Sequence, residues 1–264
     1  MRIAVLIKQV PDTDDVKLDP QTGTMIREGS GTIINPLDLN AIEAAVQIKR
    51  MRSIPCHITV ITMGPPNAQF ALREALALGA DQAILLTDRR FAGADSWATA
   101  KVLAESLKKT GEYDLIIAGE KATDGETGQV GPEVAAMLSI PCATYVTEIS
   151  DNEEYVVVKR MVEDGFQRQR IHYPCLITVL SDLNRPGMPT LKGKMDSRRA
   201  TLITLTADDL DIRSDELGLM GSPTKVVRVT TPQKTRETRR FSGHAIEKGI
   251  VELAETIKSS VLNR

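Results

Sequence analysis

This sequence predicts an α/β fold with a mainly parallel sheet, helices on both faces, and a C-terminal extended arm ending in a helix. Three observations predict it. Strand-sized apolar runs alternate with helical patterns four times in the first two thirds of the chain. Those runs are apolar throughout rather than alternating, as in strands covered on both faces. After Pro141 the pattern changes to alternating strands, and after about residue 207 to a polar, basic stretch followed by an amphipathic helix.

Residues 3–7 (IAVLI) form the first buried strand, and residues 17–27 (KLDPQTGTMIR) read as a small hairpin inserted after it. Asn35 caps a helix whose first position is Pro36. Leu39, Ile42, Val46 and Lys49 follow at helical spacing. Residues 58–62 are the second core strand, followed by a sharp MGPP turn. The next helix, about 67–78, ends at Gly79. Residues 83–87 are the third strand; after the FAGAD loop Asp95 or Ser96 caps a helix reaching about Lys109. Residues 113–118 are the fourth strand. Residues 143–149, 155–161 and 166–172 alternate as antiparallel strands do, and 175–180 returns as a buried strand. Residues 208–221 read as short helix or turn, and 226–240 as extended. The final helix, 243–262, carries Ile246, Ile250, Leu253, Ile257 and Val261 on one face. The domain reading is therefore 1–206 for the α/β part and 207–264 for the arm and helix, with docking on a partner favoured over packing back on the sheet.

Composition narrows the function. The 264 residues are 42% hydrophobic, 26% charged and only 3% aromatic, with a formal net charge of −2. Few aromatics argue against a base-stacking surface, and near-neutrality gives no general reason for nucleic-acid binding. The longest apolar runs are strand-sized, so no membrane insertion is expected. The opening MRIAVLIKQVP is too short for a signal peptide, which places the chain in the cytoplasm. Cys56, Cys142 and Cys175 form no CxxC pair, the spacing that a zinc or iron–sulfur site would show. The three histidines have no metal-site spacing and fall on none of the strand-end loops, so no metal ligand and no catalytic residue is assigned.

In a parallel sheet the strand C-termini share one edge, where ligands bind. Four loops gather there: residues 8–11, 63–66, 88–95 and 122–130, joined by the helix start at Asn35. The last, within AGEKATDGETGQVGPEVA, runs straight into a helix whose first amides have no internal partners. It is neither a GxGxxG nor a Walker loop, so on spacing alone a capped turn and a phosphate cradle are equally compatible. Asp124 and Glu126 repel anions and suit capping or ribose hydroxyls better. With no nucleophile–base pair on this edge, the chemistry must come from a cofactor.

The segments VLIKQVPDT, INPLDLNAIEAAVQIK, VITMGPP, REALALGAD, DGETGQVGPEVA and LKGKMDSRR, in this order, resemble the beta subunit of electron transfer flavoprotein. The resemblance covers nearly the whole chain and implies a Rossmann-like nucleotide-binding fold paired with an alpha subunit. It implies FAD in the beta site or, alternatively, a structural AMP. By position, cofactor contacts fall on Leu6, Asn35, Pro36, Leu37, Asp38, Met63, and on Ala122, Thr123, Asp124, Gly125, Thr127, Gly128, Gln129 and Val130. The stretch TDRRFAGADSWATA is similar to the pattern of electron-bifurcating members, in which NADH reduces the beta-subunit FAD. One electron then passes to ferredoxin or flavodoxin, and one through the alpha-subunit flavin to a flavin dehydrogenase. That branch would bring NAD to Met63, Gly64 and Asp95. Ser96 and Ala100 depart from the commoner Thr and Ser, and Gly128 from Ala. The resemblance also makes residues 182–199 a recognition loop, with Leu191, Arg198 and Arg199 meeting the dehydrogenase. The chain would thus be an electron-transfer subunit within an NAD-dependent oxidoreductase complex.

Overall fold

The apolar runs IAVL, ITVIT, AILL, LIIA and CLITV become strands buried on both sides. The computed structural model describes residues 1–12, 31–227 and 238–262. It divides into two units, Met1–Val227 and Arg228–Arg264. In the first unit, β1 (Arg2–Leu6) leads through a short antiparallel pair, β2 (Gln9–Pro11) and β3 (Thr32–Ile34), into α1 (Pro36–Met51). The expected hairpin at 17–27 lies outside the described residues. Next come β4 (His57–Met63), α2 (Gln69–Leu78), β5 (Gln82–Leu86), α3 (Ser96–Thr110), β6 (Leu115–Gly119) and α4 (Val130–Leu138). The strands β7 (Cys142–Asp151), β8 (Tyr155–Val162), β9 (Gly165–His172) and β10 (Cys175–Val179) follow. Then come α5 (Leu191–Arg199), β11 (Ile203–Leu205) and α6 (Gly218–Gly221).

The main sheet runs β11-β5-β4-β1-β6-β10-β7-β8-β9. Its pairs are parallel from β11 to β7 and antiparallel from there to β9. Strand β7 is shared between the two regimes: its first half pairs with β10 and its second half with β8. Two apolar layers cover the sheet. On one face Ile3, Val5, Ile58 and Val60 pack against α1 and α2. On the other, Ala4, Leu6, Ile61 and Ile116 pack against α3 and α4.

This layering locates the site. Strand β1 exits to α1 on one face, and its neighbour β6 exits to α4 on the other. Adjacent strands whose connections leave in opposite directions open a crevice at their carboxyl ends.

The sequence boundary at 206/207 and the division after Val227 differ. Ala207, Leu210 and Leu217 are buried beside Leu86, Phe91 and Leu107, so residues 207–217 complete the core of the first unit. In the second unit α7 (Ile246–Leu262) leaves Ile246, Ile250, Leu253 and Ile257 exposed. No helix among the described residues is long and apolar enough to cross a membrane.

Candidate functional site

The floor of the β1/β6 crevice is a polar staple. Asp38, in the first turn of α1 and 5% exposed, accepts the Lys8 amide at 2.7 Å and the Gly119 amide at 3.2 Å. One carboxylate thereby joins the ends of two neighbouring strands. Burial raises its pKa to about 7, against the pull of hydrogen bonds from Asn35, Lys8 and Gly119. Glycine is required at 119 because α1 begins directly over it.

Asn35 adds a second staple. The sequence reading makes it the helix cap, and it does precede Pro36, but its side chain makes no capping bond. It donates instead to Lys121 O at 2.9 Å and accepts the Thr123 amide at 3.1 Å. The fully buried carboxamide therefore holds the β6 loop instead of capping its own helix.

The loop itself turns at residues 122–126, where the Glu126 amide donates to Ala122 O at 2.8 Å. Asp124 pairs with Lys8 Nζ at 2.7 Å, and Glu126 with Lys121 Nζ at 3.2 Å. The two acids that seemed ill-suited to anion binding are thus each neutralised by a lysine. Beyond them, the amides of Thr127, Gly128 and Gln129 have no acceptor among the described residues. They lead into the first turn of α4, where the Val130 and Gly131 amides likewise have no acceptor among the described residues, Pro132 has none to offer, and the Glu133 amide donates to Gln129 O at 3.0 Å. Gly128, with φ 63°, bends the backbone over the Glu120 carboxylate.

Glu120 went unassigned in the sequence, yet it fixes this loop from below. It is 5% exposed, accepts the Tyr145 amide at 3.0 Å and the Thr178 hydroxyl, and donates its own amide to Val179 O at 3.0 Å. Burial pushes its carboxyl up in pKa, opposed by those hydrogen bonds. Glu120 thereby ties β6, β10 and β7 together where the β10–β7 register shifts at the positive-φ Tyr145.

The remaining expected contacts are distributed unevenly. Leu6 is buried in the α3/α4 layer at the end of β1. Pro36 is exposed and Leu37 half-buried at the start of α1, and Met63 and Gly64 close β4, with the Gly64 amide on Leu86 O at 3.0 Å. Ala122 and Val130 are half-buried, while Gly125 stands in open space. Asp95 caps α3 as expected, through the Ala98 amide at 3.0 Å. Its second oxygen is taken by the Thr224 amide and hydroxyl at 2.9 and 2.8 Å. Burial raises its pKa, but these bonds outweigh it and leave the carboxyl lowered overall. The neighbouring Ser96 hydroxyl reaches Gln129 Oε1 at 3.1 Å and Glu133 Oε1 at 3.2 Å, so the N-termini of α3 and α4 converge.

Leu191, Arg198 and Arg199 lie elsewhere, on α5, which packs against α2. Thr190 caps α5 through the Gly193 amide at 3.0 Å, and Arg73 of α2 donates to Ser197 O at 2.7 Å at its other end. Leu191 is 77% exposed, with Met188 and Met195 exposed beside it in sequence. The preceding loop is pinned to α1: Asn40 Nδ2 donates to Asn184 O at 2.9 Å, Asn184 Nδ2 returns a bond to Asn40 O at 3.0 Å, and the Gly187 amide donates to Glu43 at 3.1 Å.

Comparison with known proteins shows the family to which the chain belongs. The family described as electron transfer flavoprotein domain matches residues 22–210. The chain is 47% identical over 260 residues to an electron transfer flavoprotein subunit beta from Thermoanaerobacterium thermosaccharolyticum, covering 98% of both chains. It is 42% identical over 258 residues to the caffeyl-CoA reductase-Etf complex subunit CarD of Acetobacterium woodii, again 98% of each. With protein FixA of Azorhizobium caulinodans it shares 38% identity over 270 residues, 99% of this chain and 92% of the relative.

Proposed function

This chain belongs to the electron transfer flavoprotein family as a beta subunit, and from that premise we propose that its β1/β6 crevice holds an FAD that exchanges electrons with NAD(H). The carrying observation is the row of amides at Thr127, Gly128 and Gln129 that have no acceptor among the described residues, on a loop braced at the crevice by Asn35, Asp38 and Glu120. Amides without acceptors at a helix N-terminus suit a pyrophosphate, and the neighbouring Thr123 and Gln129 suit ribose hydroxyls. The residues therefore fit a dinucleotide. When bound, the flavin supplies the electron and hydride chemistry; the protein groups bind, orient and exclude water.

The reading extends to bifurcation between NADH, ferredoxin or flavodoxin, and a partner dehydrogenase. It is supported by the TDRRFAGADSWATA stretch and by the similarity to a subunit named for a caffeyl-CoA reductase complex. The exposed apolar stripe of α7 suits docking on the alpha subunit, and exposed Leu191 suits contact with the dehydrogenase.

One observation favours a second reading, in which the site holds a structural AMP. The Asp95 carboxylate, expected near NAD, is already committed to Ala98 and Thr224. Counting cofactors decides between them. The purified alpha–beta complex should carry two FAD, and NADH should bleach flavin faster when ferredoxin is present. One FAD with one AMP, and no response to NADH, would establish the second reading instead.

A further inference from the structure

The mouth of the crevice is spanned by a long-range ion pair. Lys8, just past β1, reaches across to Asp124 in the β6 loop at 2.7 Å. The lysine side chain is 47% exposed and the aspartate 11%. Everything beneath this contact is fixed by backbone bonds. The Lys8 amide is held by Asp38, and its carbonyl accepts the Asn35 amide at 2.9 Å. The Lys8 backbone is therefore held at both its amide and its carbonyl, while its ammonium sits on a flexible four-carbon stem.

An exposed lysine–carboxylate pair contributes little stability, because water and salt screen it. The amides at Thr127–Gln129 lie a few residues beyond Asp124 in the same loop. A phosphate seated on them adds negative charge to the loop that carries Asp124, and two anions on one short loop repel. Lys8 is the cation already placed between the two strand ends, and its hydrogen bond to a phosphate is charge-assisted just as its bond to Asp124 is. Lys121, the other cation of the loop, is similarly paired with Glu126 at 3.2 Å.

We propose that the Lys8–Asp124 pair is a latch displaced by anions. The Lys8 ammonium exchanges Asp124 for the phosphate of an adenine nucleotide, and Asp124 sets how tightly that phosphate is held by competing for the same lysine. This rests on the reading of the crevice as a nucleotide site. It gives the acidic residue in the loop a definite role: Asp124 keeps the empty site neutral and tempers its affinity.

The test uses the full chain freed of nucleotide, titrated calorimetrically with ADP and with adenosine. The readout is the ratio of the two affinities, which isolates the phosphate contribution. Asp124→Asn, nearly isosteric, should raise that ratio at least about threefold, because the competitor is removed. Lys8→Gln should lower it about tenfold, and Lys8→Arg, which keeps the charge, should hold it within about threefold of wild type. A ratio that falls or stays level in Asp124→Asn overturns the latch. So does an equal loss of ADP and adenosine binding in both charge-removing variants, the signature of a plain structural clamp. Should Lys8→Gln fail to fold, Asp124→Asn and Lys8→Arg still decide the matter. If wild type binds neither ligand, the nucleotide reading falls and the latch with it; if wild type binds both, only the latch is at stake.

Discussion

The Gly119 amide donates to Asp38 Oδ1 at 3.2 Å, and a methyl group at 119 would lie 2.3 Å from that same oxygen and 2.8 Å from Leu37 Cβ. Strand end and helix start are thus in direct contact. Gly119→Ala must separate them, at a cost of about 1–3 kcal/mol for overpacking. Urea denaturation should show this loss, and nucleotide binding should weaken with it. An alanine variant as stable as wild type would mean that the two elements yield easily.

The Asp38 carboxyl gives a pH dependence of defined sign. Its pKa is raised from 3.8 to about 7, so between those values the folded chain keeps a proton that the unfolded chain has released. Stability contributed by this group falls as pH rises from about 4 to about 7, then levels. Lys8 is the charged side chain beside it, and its attraction opposes the shift. In Asp38→Asn the slope should vanish, so the stability of wild type minus that of the variant falls with rising pH. Denaturation curves across that range check it; a difference that rises with pH would contradict the assignment.

Arg52 and Asp151 form a two-pronged pair at 2.5 and 2.8 Å, with side chains only 8% and 7% exposed. Asp151 also accepts the Tyr173 hydroxyl. Asp151→Ala strands the guanidinium without a counter-charge and should cost about 3–5 kcal/mol. Replacing both partners with apolar residues should cost less than that single change, a comparison that thermal or chemical denaturation can make.

Leu191→Ala removes apolar surface that is already in water, so stability should change by less than about 0.5 kcal/mol. Under the proposed function it should slow electron transfer to the dehydrogenase while flavin content stays constant. Loss of flavin in this variant would place Leu191 in the wrong role.

The sequence revealed the framework because both-face burial leaves a plain mark: uninterrupted apolar runs at strand length, each followed by a helical period. It also revealed which loops meet, since strand direction settles that. What it did not reveal are the side-chain partners. Asn35 reads as a cap because asparagine before Pro36 seeks a backbone donor, and nothing in the chain says that the donor is Thr123. Lys8 reads as one more solvated lysine until Asp124 is folded beside it. Glu120 follows an apolar strand and gives no local hint of its burial among Tyr145 and Thr178. Helix α5 is the clearest omission. LKGKMDSRR has no apolar period and contains a glycine. It is helical because Thr190 caps it, Arg73 holds its final carbonyls, and Gly193 permits a close approach to Ala77.

Helix α1 serves two places at once. Its first turn carries Asp38, and within the next turn Asn40 and Glu43 grip the loop that leads to Leu191. The rise from residue 38 to residue 43 is only about 7.5 Å of rigid helix. Under the proposed function, a docking loop anchored so near the crevice keeps its root at a constant span from whatever the crevice holds. For a protein that hands electrons onward, that span is a working dimension, because transfer rates fall steeply with every added ångström. A helix makes a better ruler than a loop.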